Sequence, residues 1–226
     1  MPSAAAFFDL DGTLLIVNSA RLWIRRERRL GRISLRQVAH AALRIGAYGL
    51  GVLDMESALR AALATLRGVP EEEVRAETQA WWREEVRPFV APGGRAALEA
   101  HRRRGDRLVL LTSSSRYAAE MAMEDFGLDA VLYQRYEVVD GRFTGEPLRP
   151  ICYAAGKVQV AEDWARAHDV DLARSSFYSD SSTDLPMLER VGHPYAVQPD
   201  LRLRLVARVR AWPILDWRAA PPASGG

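Results

Sequence analysis

The stretch FFDLDGTLL, from Phe7 to Leu15, ends an apolar run and carries two carboxylates, Asp9 and Asp11, two residues apart. The run begins at Ala4 and does not alternate with polar residues, which is typical of a strand buried on both faces of a parallel sheet. In such sheets, ligand sites form outside the carboxyl ends of the strands. We therefore expect an α/β fold with a site at Asp9 and Asp11.

Further short apolar runs follow the same pattern and alternate with helical stretches. The predicted strands are Leu108–Leu111, Ala130–Tyr133, Ser175–Ser179 and Tyr195–Val197, and the predicted helices are Gly94–Arg104, Arg116–Phe126 and Ala154–His168. Strands that alternate with helices predict right-handed crossovers and a parallel sheet flanked by helices. The segment Glu137–Gly145, with Asp140-Gly141 at its centre, predicts a hairpin.

The segment 17–87 is rich in Arg and Ala and predicts helices rather than strands. We interpret 17–87 as a helical cap domain inserted after the first strand, with residues 1–16 and 88–218 forming the catalytic core. The Pro- and Gly-containing tail, residues 219–226, is predicted to be disordered.

Composition excludes some functional classes. The chain has 226 residues, 31 basic and 29 acidic, so it lacks the charge excess of a nucleic-acid-binding protein. With Cys152 as its single cysteine it has no internal disulfide, which favours a reducing, cytoplasmic setting. Because a cleaved signal peptide would remove Asp9, we expect none.

Several polar residues follow the other predicted strands, and each has an ordinary structural alternative. Thr112 and Ser113 precede a helix and are candidates for anion binding, or are simple helix caps. Lys157, the single lysine in the chain, is a compact charge suited to a crowded phosphate site, or is there by chance. Asp180 and Asp184 are candidate metal ligands, or caps of a helix.

The order of these residues favours the functional interpretation. Four acids, one hydroxyl and one lysine would meet at the same edge of the sheet. Four carboxylates beside one lysine repel one another unless a divalent cation lies among them. The pattern therefore predicts phosphoryl chemistry with Mg²⁺.

The chain resembles the haloacid dehalogenase superfamily, and within it the phosphoserine phosphatase-like subfamily whose helical cap of the C1 type follows the first motif. FFDLDGTLL matches the first motif and LVLLTSS, from Leu108, the second. Lys157 in CYAAGK matches the third, and YSDSSTDLPML, from Tyr178, the fourth. The resemblance spans nearly the whole chain and implies a Rossmann-like core.

The resemblance also implies roles for the site residues. Asp9 would be the nucleophile that becomes an aspartyl-phosphate, and Asp11 the acid and base. Thr112 would bind phosphoryl oxygens together with Ser113, and Lys157 would neutralise charge. The Mg²⁺ ligands would be Asp9, the backbone carbonyl of Asp11, Asp180, and Asp184 directly or through water. The implied activity is hydrolysis of a small-molecule phosphomonoester.

Three departures bear on the substrate. Asn18 and Ala62 stand where the resemblance would place the Glu and Arg that bind the charges of phosphoserine. The sequence therefore does not predict phosphoserine as the substrate, and Asn18 and the nearby Arg60 are our candidates for substrate contact. Ser179 stands where the family has glycine.

Alternative functions remain open at this point. The same aspartyl-phosphate would serve a phosphotransferase or mutase, and a fold without catalysis would be a binding protein. The apolar run Val38–Leu53 and four arginines between Arg25 and Arg29 raise a lipid-phosphate substrate or membrane contact, although a solvated helix face is the simpler interpretation. The sequence does not reveal the oligomeric state.

Overall fold

The structure is a computed structural model, and it describes residues 3–32 and 55–219. The apolar run Val38–Leu53 and nearly all of the predicted disordered tail lie outside the described residues. The predictions made for those segments therefore stay predictions.

The central feature is a six-stranded parallel sheet with the order β3-β2-β1-β6-β7-β8. Along the chain the strands are β1 (Ala5–Phe8), β2 (Arg107–Ser115), β3 (Ala130–Gln134), β4 (Tyr136–Val139), β5 (Arg142–Pro147), β6 (Ser176–Ser179), β7 (His193–Val197) and β8 (Ile214–Leu215). The five predicted sheet strands and the predicted hairpin, β4–β5, are confirmed.

Helices connect and cover the strands. They are α1 (Ser19–Arg29), α2 (Met55–Leu63), α3 (Glu71–Trp81), α4 (Pro92–Arg104), α5 (Arg116–Phe126), α6 (Ala155–Ala167), α7 (Leu185–Arg190) and α8 (Leu201–Val209). Helix α4 begins two residues before its predicted start, because Pro92 suits the first turn of a helix, where no backbone N–H is required. The predicted α/β class is confirmed.

Strand β1 lies at the point where the chain reverses its direction across the sheet. From β1 the chain moves outward through β2 to β3, and then returns to the other side of β1 to form β6, β7 and β8. In open α/β sheets, this switch point leaves a crevice at the carboxyl ends of the strands. The topology therefore places the residues that follow β1 and β6 beside that crevice.

Two apolar layers lie on the two faces of the sheet. Alternate residues of β1 point to opposite faces, so Phe8 packs in one layer and Phe7 in the other. Phe8 stacks on Tyr178 with ring centroids 4.9 Å apart, while Phe7 meets Trp164 edge to face. Burial on both faces fixes the position of β1 and thereby that of the residues immediately after it.

The hairpin β4–β5 packs on the inserted segment rather than in the central sheet. The Gly68 N–H donates to the Phe143 carbonyl at 2.8 Å, and the Phe143 N–H donates to the Val69 carbonyl at 3.0 Å. The Glu71 N–H donates to the Gly141 carbonyl at 2.8 Å. The boundaries between core and cap stay a prediction, but the hairpin is bonded to the insertion although its sequence lies between core strands.

The arginine run on α1 is partly engaged within the protein. Arg26 donates to the Glu77 carbonyl at 3.2 Å, and Arg29 lies 2.6 Å from a carboxylate oxygen of Glu85. Arg25 and Arg28 are exposed. In the described part of the chain, no helix has the length and apolar character needed to cross a membrane.

Candidate active site

Strand register brings three of the predicted residues to one edge of the sheet. Phe8 pairs with Leu110 on β2 and with Tyr178 on β6. Because these strands are parallel, the residues that follow the pairs lie at the same end of the sheet. Asp9, Thr112 and Asp180 therefore lie side by side at the crevice.

A buried ion-pair network forms the centre of the site. Lys157 Nζ lies 2.8 Å from Asp9 Oδ1 and 2.8 Å from Asp184 Oδ2. The three side chains are nearly inaccessible to solvent, and Lys157 is 2% exposed. The single lysine of the chain therefore joins the acid after β1 to an acid at the start of α7.

Burial and mutual repulsion raise the pKa values of the acids in the site. Burial raises the pKa of Asp9 to about 7 against the attraction of Lys157, and the charge of Asp184 adds to the rise. Burial together with the charges of Asp9 and Asp184 raises the pKa of Asp180 to about 8. Burial disfavours the charge on Lys157, but Asp184 and Asp9 outweigh it and hold its pKa above the ordinary value. The site therefore carries more negative charge than one lysine balances.

Asp11 is held by the first residue of α1. The Ser19 N–H donates to Asp11 Oδ1 at 2.8 Å, and the Ser19 hydroxyl donates to Asp11 Oδ2 at 3.0 Å. Burial raises the pKa of Asp11, and these two hydrogen bonds partly counter the rise. Sequence reasoning missed Ser19, since nothing in its local pattern distinguishes it from an ordinary residue near a helix start.

Gly12 allows close approach between the loop after β1 and the loop after β6. Its backbone has φ of +72°, and a Cβ atom at this position would lie 2.2 Å from Asp180 Oδ2. Glycine adopts this φ without steric cost and leaves room for the carboxylate. The Asp11–Gly12 backbone therefore lies directly against Asp180.

Asp184 and Ser179 form a second contact that the sequence did not predict. The Ser179 hydroxyl donates to Asp184 Oδ2 at 2.7 Å, the same oxygen that Lys157 contacts. Asp184 precedes α7 but makes no capping hydrogen bond with its side chain, so the capping alternative does not apply. Ser179, noted as a departure from the family pattern, orients this carboxylate.

Thr112 and Ser113 lie at the end of the apolar part of β2 but differ in their contacts. Thr112 is buried, and its hydroxyl oxygen accepts a hydrogen bond from the Ser114 N–H at 3.1 Å. The Ser113 hydroxyl donates to the Cys152 carbonyl at 2.8 Å, on the segment that leads to Lys157. Ser115, at the cap of α5, makes no side-chain capping bond. Phosphate binding by Thr112 and Ser113 stays a prediction.

The two candidate substrate residues have local structural partners. The Asn18 side chain caps α1 by accepting from the Arg21 N–H at 3.1 Å. Arg60 pairs with Glu146 at 2.7 Å and with Glu56 at 3.0 Å, and half of its side chain is exposed. These contacts give both residues a structural role, and their contact with substrate stays a prediction.

The oxygen groups of the site suit a magnesium ion. Among the described residues, no three Asp, Glu, His or Cys side chains are arranged to hold a metal by themselves. Ser19 holds Asp11, and Lys157 and Ser179 both contact Asp184 Oδ2. Lys157 contacts Asp9 through Oδ1 only, which leaves Asp9 Oδ2 together with the Asp180 carboxylate that lies against the Asp11–Gly12 backbone. Mg²⁺ accepts one or two carboxylates and keeps several waters, so this smaller donor set fits it.

An open cavity of about 710 Å³ is lined by residues that precede and follow Lys157 in the sequence. It is lined by Glu56 on α2 and by Gln159 and residues 149–151 and 153–156, the segment that precedes and surrounds the start of α6. A volume of this size accommodates a small molecule. None of the four acids of the site lines this cavity, and neither does Lys157, so the cavity is a candidate for the organic group of a substrate and not a part of the catalytic centre.

Comparison with known families agrees with this arrangement. The model of the haloacid dehalogenase-like hydrolases matches residues 6–189, which include every acid of the site and Lys157. The chain belongs to this family. Its hydrolase core thus contains the motifs that the sequence analysis identified.

Two of the similar proteins in this family are named as phosphatases, which indicates the type of reaction. A phosphoserine phosphatase of Mycobacterium tuberculosis is 32% identical over 98% of this chain and 73% of its own length. A histidinol-phosphatase of Neisseria meningitidis is 28% identical over 94% of this chain and 98% of its own length. An inhibition of morphological differentiation protein of Streptomyces azureus is 34% identical over 96% of this chain and 79% of its own length. The chain is a phosphatase of the haloacid dehalogenase-like family.

Solved structures show the same fold. A Bordetella pertussis protein of unknown function aligns with a TM-score of 0.87 and 29% identity, over 96% of this chain and all of its own. A phosphoserine phosphatase solved as a phospho-aspartyl intermediate analogue aligns with a TM-score of 0.68 and 19% identity, over 97% of this chain and 95% of its own. The second likeness supports the fold alone, because the identity is low.

Proposed function

We propose that the protein is a Mg²⁺-dependent phosphomonoesterase that acts on a small-molecule phosphate through an aspartyl-phosphate on Asp9. The observation that carries this proposal is the position of Lys157, buried and 2.8 Å from both Asp9 and Asp184. The charge of Lys157 opposes the rise that burial causes in the pKa of Asp9, and so favours the carboxylate form that a nucleophile requires.

The first step transfers the phosphoryl group to the protein. An Asp9 carboxylate oxygen attacks phosphorus, and the bond from phosphorus to the leaving oxygen breaks. Asp11 gives its proton to that oxygen, so the product leaves as a neutral alcohol. The raised pKa of Asp11, caused by burial, favours the protonated form that this step needs.

The second step releases phosphate. Asp11, now ionised, accepts a proton from water while the water oxygen attacks phosphorus, and the bond to Asp9 breaks. The two hydrogen bonds from Ser19 hold the Asp11 carboxylate in one orientation during both proton transfers. Asp9 is regenerated and inorganic phosphate is released.

Mg²⁺ would be held by the carboxylates of Asp9 and Asp180 and the Asp11 carbonyl. When bound, it would supply positive charge that offsets the phosphate and the clustered acids. Lys157 supplies the complementary charge on the side of Asp184. Ser179 fixes Asp184 in the orientation that contacts the lysine.

We place the leaving group in the cavity lined by Glu56 and residues 149–151 and 153–156, because these residues lie close to Lys157 along the chain. Its mixed charge, with Glu56 paired to Arg149 at 2.8 Å, suits a polar alcohol. The test substrates include histidinol phosphate and phosphoserine, because two relatives are named as phosphatases of these compounds. Sugar phosphates, glycerol phosphates and lysophosphatidic acid complete the set.

The test measures phosphate release from these substrates with Mg²⁺ and with a chelator, for the wild-type protein and for Asp9→Asn. We expect one substrate class to be hydrolysed only with metal, and the variant to be inactive. Hydrolysis by Asp9→Asn at the wild-type rate would contradict the assignment of Asp9 as the nucleophile. Phosphate that moves to an added alcohol instead of water would assign phosphotransfer.

A further inference from the structure

Helix α8 (Leu201–Val209) has apolar residues on two opposite faces. Leu203 and Ala207 are fully buried in the core, whereas Leu201, Leu205 and Val209 are 75%, 55% and 86% exposed. The three exposed residues are four positions apart and therefore form one continuous stripe along the helix. Within residues 3–32 and 55–219, nothing covers this outer stripe, and an exposed apolar stripe of this kind is a candidate interaction surface.

Arginines border the stripe on both sides. Arg204 and Arg208 each precede a stripe residue by one position, and Arg202 follows Leu201, which places them about 100° around the helix on either side. Within the described residues, Arg202 and Arg208 have no ion-pair partner, and α8 itself contains no acid. The outer face of α8 is thus an apolar stripe with Arg204 and Arg208 along one side and Arg202 on the other.

The beginning of this stripe is connected to the active-site loop. Asp200 caps α8 by accepting from the Leu203 N–H at 2.8 Å, and its other carboxylate oxygen accepts from the Ser182 N–H at 2.7 Å. The Asp200 N–H donates to the Asp180 carbonyl at 2.8 Å. Leu201 therefore lies at the edge of the sheet where the phosphatase site opens.

From these observations we infer that the outer stripe of α8 docks on the surface of an anionic lipid bilayer. The leucines and the valine enter the boundary between headgroups and acyl chains, and the flanking arginines extend their charged ends to lipid phosphates. A second copy of this chain fits less well, because stripe-to-stripe packing would bring the two sets of arginines together.

Vesicle flotation at low salt tests the inference. The wild-type protein is mixed with vesicles of phosphatidylglycerol and phosphatidylcholine, or of phosphatidylcholine alone. The doubly substituted variant Leu205→Glu, Val209→Glu removes the stripe, and Val139→Glu is the matched control because Val139 is 54% exposed on the hairpin, away from α8. Thermal unfolding of each variant verifies that the fold is intact.

We expect the wild type and Val139→Glu to float with the anionic vesicles, and high salt to release them. The stripe variant should show a bound fraction at least about tenfold lower, since it loses apolar contacts and gains repulsion. Wild type that stays unbound, or that binds neutral vesicles equally, would overturn the inference. A stripe-dependent dimer in light scattering would assign the face to a second copy instead.

Discussion

Lys157 has a positive charge on a compact side chain. Two substitutions test separately whether the charge and the small size are needed for activity. Lys157→Arg keeps the charge but places a wider planar group in a site that is 2% exposed, and Lys157→Met keeps the approximate length without the charge. We expect each to lower kcat by about 10²–10³-fold, the range seen when one preorganised electrostatic contact is removed. Steady-state phosphate release measures the effect.

The matched control for this substitution lies on the same helix. Arg166 is on α6, its side chain is 75% exposed, and Arg166→Lys should leave kcat unchanged. Lys157→Met should also lower the free energy of unfolding by about 3–5 kcal/mol if an uncompensated buried charge remains. Wild-type kcat in Lys157→Arg would mean that charge alone suffices.

Alanine substitution at Gly12 and at Gly31 distinguishes the cost of backbone strain from the effect of a steric clash. Both have φ of +72°, but a Cβ atom at Gly12 meets Asp180 at 2.2 Å, whereas one at Gly31 meets no atom of the described residues within 4 Å. Each Gly→Ala change should cost about 1–2 kcal/mol through the left-handed backbone. Gly12→Ala should in addition lower kcat by about tenfold or more, because it displaces Asp180.

Comparison of thermal unfolding and phosphate release in the two variants measures these contributions. Equal activity in Gly12→Ala and Gly31→Ala would show that Asp180 tolerates displacement and would weaken its assignment to the metal. Loss of activity in Gly12→Ala alone would support it.

At the residue scale, the sequence predicted that the acids and the lysine would lie together, and the contacts of Lys157 with Asp9 and Asp184 agree with this, while their catalytic roles stay a prediction. Ser19 was not predictable, since its hydrogen bonds to Asp11 depend on how α1 begins after the loop. Ser179 was visible only as a departure from a pattern, and its function became clear from its contact with Asp184. Supporting contacts depend on three-dimensional placement that local sequence does not determine.

Helix α4 and strand β6 are joined by a buried histidine. His101 Nδ1 lies 2.7 Å from Asp106 Oδ2, and His101 Nε2 lies 2.8 Å from the Tyr178 hydroxyl, with Arg104 also in contact. Burial lowers the pKa of His101 below its ordinary value of 6.5, and Arg104 adds to this while Asp106 opposes it. The folded protein therefore binds this proton less readily than the unfolded chain does.

This shift predicts a pH dependence of stability. The contribution of neutral His101 is fully present above its unfolded pKa of 6.5 and is lost as the pH falls below that value. The raised pKa values of Asp9 and Asp180 act in the opposite direction over the same range, so the effect is measured as a difference between two proteins. We expect the free energy of unfolding of the wild type, relative to that of His101→Gln, to fall as the pH drops below 6.5, measured by urea denaturation. His101→Gln should lack this component.

His168→Gln serves as the control, because His168 is exposed at the end of α6. Its pH profile should follow that of the wild type. Identical profiles for His101→Gln and the wild type would contradict the assignment of this pH window to His101.

At the element scale, sequence pattern predicted the long buried strands and the helices between them, but not α8 or β8. Strand β8 has two residues, too few for any periodicity to be visible. Helix α8 carries apolar residues on both faces, so it lacks the single stripe that indicates an ordinary surface helix. Both elements take their form from contacts at the edge of the sheet.

At the scale of the whole molecule, the hairpin β4–β5 contacts both α5 beside the central sheet and residues 68–71, which lie between β1 and β2 in the sequence. Phe143 on β5 is 2% exposed and meets Tyr117 on α5 and Tyr136 on β4 edge to face. Phe143→Ala should lower the free energy of unfolding by about 3–5 kcal/mol, as expected for a large buried aromatic side chain. Urea denaturation measures this loss.

Hydrogen exchange of the Phe143→Ala variant shows which part of the molecule loses stability. We expect faster exchange at the Gly68 and Glu71 N–H groups, which donate to the hairpin, than at the core strand β1. Val139→Ala is the control, since Val139 is exposed on the same hairpin. Uniform loss of protection across the molecule would mean that the hairpin and the core open together.

The architecture of the whole molecule was partly predictable from sequence. The alternation of strands and helices predicted the parallel sheet, and Asp140-Gly141 predicted the hairpin. The pairing of Phe143 with Val69 was not predictable, because it joins segments more than seventy residues apart without a local signal. Long-range contacts of this kind come from the fold and not from any single stretch.

The position of Lys157 has a consequence for chemical labelling. It is the single lysine in 226 residues, and its amine is buried and paired with two carboxylates. Reagents that acylate amines should therefore spare Lys157 in the folded protein, even where they modify the α-amine at the N-terminus, and should react at Lys157 only when the site opens. Mass spectrometry of the acylated fraction over time would then report, with one natural probe, how often the catalytic centre is exposed to water.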